Sequence, residues 1–219
     1  MVVTDLDGTL LSTKGEVSNR DIETLTSLGE MGIVRVIATG RSPFSFLRVV
    51  SSNFPIDYLV FSSGGGAMAW VDKNLLYTSE LTQREVDGIV NELVSHEVDF
   101  MVHKPYPDNH RFQYQFHSND NPDFVRRLRN YEPHGSPFKP RKQYESPASQ
   151  IIAILPHDVE WFENLKQKFP SLKVIRATSP LDGKSIWMEI FPSNVSKAYG
   201  IKWICKSLGI RLDEVITIG

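Results

Sequence analysis

The sequence predicts an α/β protein: a doubly wound, parallel-sheet domain interrupted by a smaller α+β unit. Three observations lead there. Short, mostly apolar strands alternate with helices over the first 61 residues, the pattern of a parallel sheet covered on both faces. After residue 78 the order changes, and helices are followed by adjacent strands. From residue 196 a strand and a helix of the first kind return. The middle block therefore reads as an insertion, with boundaries at 1–78, 79–191 and 192–219.

Each element has its own signal. Residues 1–6 form an apolar strand. Ser18 with Asp21 makes a start like a capping box for a helix over 19–31, with Ile22, Leu25 and Leu28 on one face. Ile33–Ala38 and Asp57–Phe61 are the next two strands. Ser42 and Pro43 read as the N-cap and first residue of another helix. In the middle block Val86, Ile89, Val90, Leu93 and Val94 mark a helical stripe, and strands near 99–104 and 111–117 follow. Asn121-Pro122 opens a helix whose inner face is Phe124, Val125, Leu128 and Tyr131. A Pro/Lys/Arg-rich loop over 133–147 leads to strand 149–155, helix 158–169 and strands near 172–177 and 185–191. Helix 196–208 ends on Gly209, a C-cap, and strand 214–218 follows.

Composition narrows the class. The chain has 219 residues, 41% of them apolar, and a net charge of −2, which suits a soluble globular protein and argues against a nucleic-acid binder with a basic surface. No apolar run approaches the ~20 residues that span a bilayer, and no secretory h-region precedes Asp5 and Asp7. The single cysteine, Cys205, excludes an intrachain disulfide and fits a reducing cytoplasm; its place on a helix's apolar face makes it a buried thiol. The histidines show no metal-ligand spacing.

The chemistry is concentrated at the N-terminus, Met1-Val2-Val3-Thr4-Asp5-Leu6-Asp7-Gly8-Thr9-Leu10. A strand ends in two carboxylates one residue apart. Residues i and i+2 of a strand point the same way, so Asp5 and Asp7 are expected to face one pocket at the strand's C-terminal end. Like charges that close need a compensating cation or proton, and a hard, oxygen-seeking ion such as Mg²⁺ suits two carboxylates. This segment resembles the Asp-x-Asp-Gly-Thr motif of the haloacid-dehalogenase-like (HAD) phosphohydrolase superfamily. The insertion resembles the large cap of its Cof-like, or C2B, subclass, and the resemblance covers essentially the whole chain. It implies a Rossmann-like HAD core with a C2B-type α+β cap that closes over the site and chooses the leaving group.

Further pieces acquire roles through that resemblance. Thr39 and Gly40 precede the helix at Pro43; the family holds the transferring phosphoryl group with the hydroxyl and backbone N–H groups at these positions. By themselves they also read as a plain strand-to-helix cap. Arg41 binds either substrate or a carboxylate of its own domain. Lys197, a cation at a helix start where the dipole opposes it, matches the family's third-motif lysine, with a solvent-facing lysine as the plainer reading. Asn194 is either a substrate contact or a cap. Gly64, in Ser62-Ser63-Gly64-Gly65-Gly66-Ala67, stands where relatives carry asparagine; structural turn and hinge beside a ligand are equally open. Lys139, Arg141 and Lys142 form a basic loop, read as solvated surface.

The resemblance implies a Mg²⁺-dependent phosphomonoesterase acting on a small phosphate ester such as a sugar phosphate. Asp5 would be the nucleophile, Asp7 the general acid and base, and both would serve the metal; Thr39, Gly40 and Lys197 would hold the phosphoryl oxygens. A sugar phosphomutase and a non-catalytic phosphate- or sugar-binding module are the alternatives. In relatives the strand ending at Gly219 runs into an acidic fourth motif, Gly-Asp-x-x-Asn-Asp. The sequence is accordingly expected to be a piece of a longer protein, the alternative being a truncated chain that has lost activity.

Overall fold

Secondary structure was traced in a computed structural model, which describes residues 1–117, 120–138 and 147–219. In chain order the elements are β1 (Val2–Thr4), α1 (Asn19–Glu30), β2 (Arg35–Ala38), α2 (Pro43–Leu47), β3 (Tyr58–Phe61), β4 (Gly66–Ala69), β5 (Leu75–Thr78), α3 (Gln83–Ser95), β6 (Asp99–His103), β7 (Phe112–Gln115), α4 (Pro122–Asn130), β8 (Gly135–Pro137), β9 (Gln150–Leu155), α5 (Val159–Lys166), β10 (Lys173–Thr178), β11 (Ile186–Phe191), α6 (Lys197–Leu208) and β12 (Ile216–Ile218). They form two units: Met1–Ser79 with Asn194–Gly219, and Glu80–Ser193.

The first unit holds a six-stranded sheet in the order β12-β1-β2-β3-β4-β5. The first four strands are parallel, with Val3 opposite both Thr217 and Val36. Val3, Val36, Ala38, Val60 and Ala67 pack on one face against Ile204 of α6. Gly200 lets that helix lie close, since a Cβ there would meet Val60 at 2.5 Å. Cys205 is buried on the same helix, and burial pushes its thiol up.

Three features of this unit differ from expectation. β4 and β5 extend the parallel sheet as an antiparallel hairpin that the Gly- and Ala-rich stretch did not announce. On α1 only Leu25 is buried, and Ile22 is exposed. Arg35 occupies the ground beneath that helix instead: it donates to Leu25 O at 3.0 Å and forks Asp57 at 2.7 Å. Asp5 and Asp7 lie just past β1, so strand alternation does not set their directions. Leu6 between them is wholly buried, and Thr9 and Leu11 both donate to its carbonyl, which coils the chain back.

The second unit has a sheet in the order β10-β11-β9-β6-β7-β8, antiparallel except for the β7–β8 pair. α3 and α5 cover one face with Val86, Ile89, Leu93, Phe162 and Leu165. α3 starts in a capping box formed by Thr82 and Glu85. α4 covers the other face with Phe124, Leu128 and Tyr131 of its expected apolar stripe, joined by two charged residues. Asp123, Phe124 and Arg127 are buried there, whereas Val125, Leu128 and Tyr131 are half-exposed. Asp123 accepts from Ser179 Oγ at 2.9 Å and Trp187 Nε1 at 2.7 Å, and the Arg127 guanidinium lies 4.3 Å from the Trp187 ring. Part of the expected 133–147 loop is ordered as a 3₁₀ turn over Glu132–His134 and as β8. Lys139, Arg141 and Lys142 lie outside the described residues. Among the described residues no helix is long and apolar enough to cross a membrane.

Burial in this unit has a consequence for acid stability. His103 is almost fully buried on β6, with Nδ1 2.7 Å from Asn109 O. Since that partner is a carbonyl, Nδ1 carries the proton. Burial, with Arg127 nearby, pushes the imidazole down to about 3. Its folded value lies below its unfolded value of about 6.5. Stability is therefore complete above the unfolded value and falls as pH drops from about 6.5 toward 3, by about 1.4 kcal/mol per pH unit. Urea midpoints at pH 7 and 5 should differ more in the wild type than in His103→Phe; equal differences would overturn this assignment.

Candidate active site

The site is built at the C-terminal ends of β1, β2 and β3. Asp5 follows β1 directly, and its N–H continues the ladder to Ile218 O at 2.9 Å. Its carboxylate is held from two sides: Oδ1 accepts from the Leu6 N–H at 2.7 Å, and Oδ2 from Lys197 Nζ at 2.7 Å. Lys197 is the first residue of α6, and the Ser196 hydroxyl caps that helix. A cation at this helix end is thus answered by the Asp5 carboxylate.

Asp7 is held separately. Arg41 Nε lies 3.0 Å from both of its carboxylate oxygens, and Nη2 lies 2.7 Å from Oδ1. Arg41 also reaches Ser45 Oγ at 3.3 Å. Of the two partners expected for Arg41, the contact present is the one with a carboxylate of its own unit. The Asp7 side chain is 50% exposed, so the pair adds little to stability.

Thr39 is fully buried at the end of β2, beside β1. Its hydroxyl oxygen accepts from the Arg41 N–H at 3.1 Å, which leaves its own O–H to donate. Gly40 follows, and a Cβ there would lie 3.6 Å from Ser63 Oγ, an ordinary contact distance. α2 has only five residues, so its dipole contributes little.

Two candidates stand apart from this cluster. Asn194 Oδ1 accepts from Ser79 Oγ at 2.6 Å, a contact between the two chain segments of the unit. Gly64, with φ +97°, brings its backbone against the start of α6: a Cβ there would lie 2.0 Å from Ser196 O. Its carbonyl accepts from the Tyr77 hydroxyl at 3.1 Å, and burial pushes that phenol up. Gly64 is therefore a packing position for the helix that carries Lys197. Neither Ser79 nor Tyr77 gave a signal in the sequence, because their partners lie 115 and 13 residues away, beyond the reach of any local spacing.

The donor set at β1 consists of oxygens alone. Two carboxylates suit Mg²⁺, which typically takes one or two from a protein and fills its remaining positions with water and substrate phosphate. Among the described residues no group of three or more His, Cys, Asp or Glu is placed to hold a metal.

A largely parallel sheet with an inserted α+β unit, and an acid pair met by a lysine and an arginine just past its first strand, mark an α/β protein with an acidic site at the strand ends. Residues 2–219 match the model of the haloacid dehalogenase-like hydrolases, and the chain belongs to that family. A Haemophilus influenzae protein with a provisional phosphatase name is 24% identical over 221 residues, covering 100% of this chain and 77% of that protein. Among solved structures, a HAD-superfamily phosphatase of Bacteroides thetaiotaomicron superposes with a TM-score of 0.76 at 18% identity, over 99% of this chain and 75% of that one. A HAD subclass IIB sugar phosphatase gives 0.73 at 18% identity, over 99% and 78%. At these identities the structural likeness speaks for the fold.

Proposed function

We propose that the protein is a magnesium-dependent phosphomonoesterase that works through a phosphorylated Asp5. The observation that carries this reading is the Asp5 carboxylate, fixed by Lys197 and the Leu6 N–H at a strand end beside Thr39 and Gly40. A carboxylate held at both oxygens is oriented for in-line attack on phosphorus, which splits one difficult hydrolysis into two easier steps. The P–O bond to the leaving group breaks as the Asp5–phosphorus bond forms. Asp7 gives its proton to the leaving alkoxide, then takes one from the water that attacks the phosphoryl-aspartate. The products are the free alcohol and inorganic phosphate.

Lys197 has a second task once phosphoryl oxygens arrive. Its ammonium group then shares its donors between Asp5 and the transferring group, where charge is greatest in the transition state. The Thr39 O–H and the Gly40 N–H are the neutral donors. The Asp5 carboxylate and the Asp7 backbone carbonyl would hold Mg²⁺, which would supply charge neutralisation to the phosphoryl oxygens when bound. The substrate class is a small phosphate ester, and the sugar phosphatase among the structural relatives makes sugar phosphates the first to assay.

The test is hydrolysis of p-nitrophenyl phosphate with Mg²⁺. The wild type should turn it over, and Asp7→Asn should lower kcat by roughly 10²- to 10⁴-fold, the usual weight of general acid–base catalysis. A wild type without turnover on this ester and on a panel of sugar phosphates would defeat the reading. An Asp7→Asn variant as fast as the wild type would remove Asp7 from the proton transfers.

A further inference from the structure

We propose that Ser63 is an additional substrate-contacting residue, whose hydroxyl donates a hydrogen bond to a phosphoryl oxygen seated on Gly40. The proposal rests on the phosphatase reading above. It starts from the turn after β3. Ser62, Ser63 and Gly64 have φ of 48°, 57° and 97°, three successive left-handed residues of which only one is glycine. Each non-glycine residue in this region costs roughly 1–2 kcal/mol. Glycines at 62 and 63 would remove that strain, yet both positions carry hydroxyl side chains.

The turn is tied to the segment that bears Thr39 and Gly40. The Ser63 N–H donates to Thr39 O at 3.0 Å, and the Ser62 N–H to Arg41 O at 2.8 Å. Ser62 is buried, whereas Ser63 is half-exposed. The result is a specific placement. Ser63 Oγ lies 3.6 Å from the point where a Cβ of residue 40 would stand, and among the described residues no other atom from outside residues 39–41 comes within 4 Å of that point. Among the described residues the atom that meets that point is thus polar, a hydroxyl able to turn its proton toward an anion. A donor already positioned by the backbone needs no rearrangement when charge develops on the phosphoryl oxygens.

Ser63→Ala removes the hydroxyl and keeps the strained backbone; Ser63→Gly removes both. The assays are p-nitrophenyl phosphate kinetics and inhibition by orthovanadate, with melting temperature as a check on folding. Both variants should lose roughly ten- to a hundredfold in kcat/KM, the loss of one hydrogen bond to a charged group, and orthovanadate should inhibit both more weakly. Ser63→Gly should melt no lower than Ser63→Ala. An active wild type with an unimpaired Ser63→Ala would overturn the role of Ser63 alone. So would an active Ser63→Gly beside an impaired Ser63→Ala, since the hydroxyl would then be dispensable. A wild type that neither turns over the ester nor binds orthovanadate would bring down the phosphatase reading, and this proposal with it.

Discussion

Asp5→Asn should abolish hydrolysis of p-nitrophenyl phosphate while leaving the protein folded. Asparagine matches aspartate in size and can still accept from the Leu6 N–H, which now lies 2.7 Å from Oδ1. It has no anionic oxygen for attack on phosphorus, and it leaves Lys197 without the charge it meets at 2.7 Å. Loss of the nucleophile from a covalent hydrolase costs on the order of 10⁶ in kcat. Stability should change by less than about 1 kcal/mol, because the pair is partly solvated, with side chains 34% and 38% exposed. Steady-state kinetics and a thermal melt together check both halves. A variant that keeps the wild-type rate would eliminate the phosphoryl-aspartate.

The second large effect is expected at Gly64→Ala, where the damage begins in packing and ends in the site. The added Cβ would lie 2.0 Å from Ser196 O, 2.3 Å from Ser196 C and 2.9 Å from Lys197 N. All three are backbone atoms at the start of α6, so no side chain can swing aside. The residue's φ of +97° adds strain for any side chain. Together these should cost about 2–4 kcal/mol. For a chain of this size each kcal/mol lowers the melting temperature by about 2–4 °C. The start of α6 must shift, and the Lys197–Asp5 contact shifts with it, so kcat should fall as well. Gly15→Ala is the control: its φ is +78° and, among the described residues beyond its chain neighbours, no atom lies within 4 Å of the added carbon, so only the strain remains. If the two variants melt alike, the close approach at Gly64 is unimportant.

Much of the fold was legible because its signals are local. Ser18, Ser42 and Asn121 cap α1, α2 and α4 with their side chains, and Gly209 ends α6 in the left-handed conformation. Each acts within one turn of chain, so each shows in the letters. The β4–β5 hairpin did not show. Gly66 and Ala67 have little strand propensity of their own; they are strand because they pair with Phe61 and Val60. A Cβ at Gly66 would meet the Phe61 ring at 2.4 Å, so the glycine answers a neighbour rather than a turn. α4 was legible in its cap and in Phe124, Leu128 and Tyr131, but not in its buried charges. Asp123 and Arg127 are buried on it because Ser179 and Trp187, more than fifty residues away, supply their partners.

For the candidate site the letters already held the acid pair after an apolar strand, a threonine and glycine at the next strand end, and a lysine at a helix start. Those are matters of residue type and short spacing, which the chain carries before it folds. The partnerships came only with tertiary structure. Lys197 finds Asp5 across 192 residues and Arg41 finds Asp7 across 34. The packing of Gly64 on Ser196 and the placement of Ser63 over Gly40 belong to the same group. Such contacts depend on which strands lie side by side and how closely α6 approaches them. That is settled when the sheet closes around its apolar core, because charge and spacing along a chain do not say which distant partner burial will bring within 3 Å.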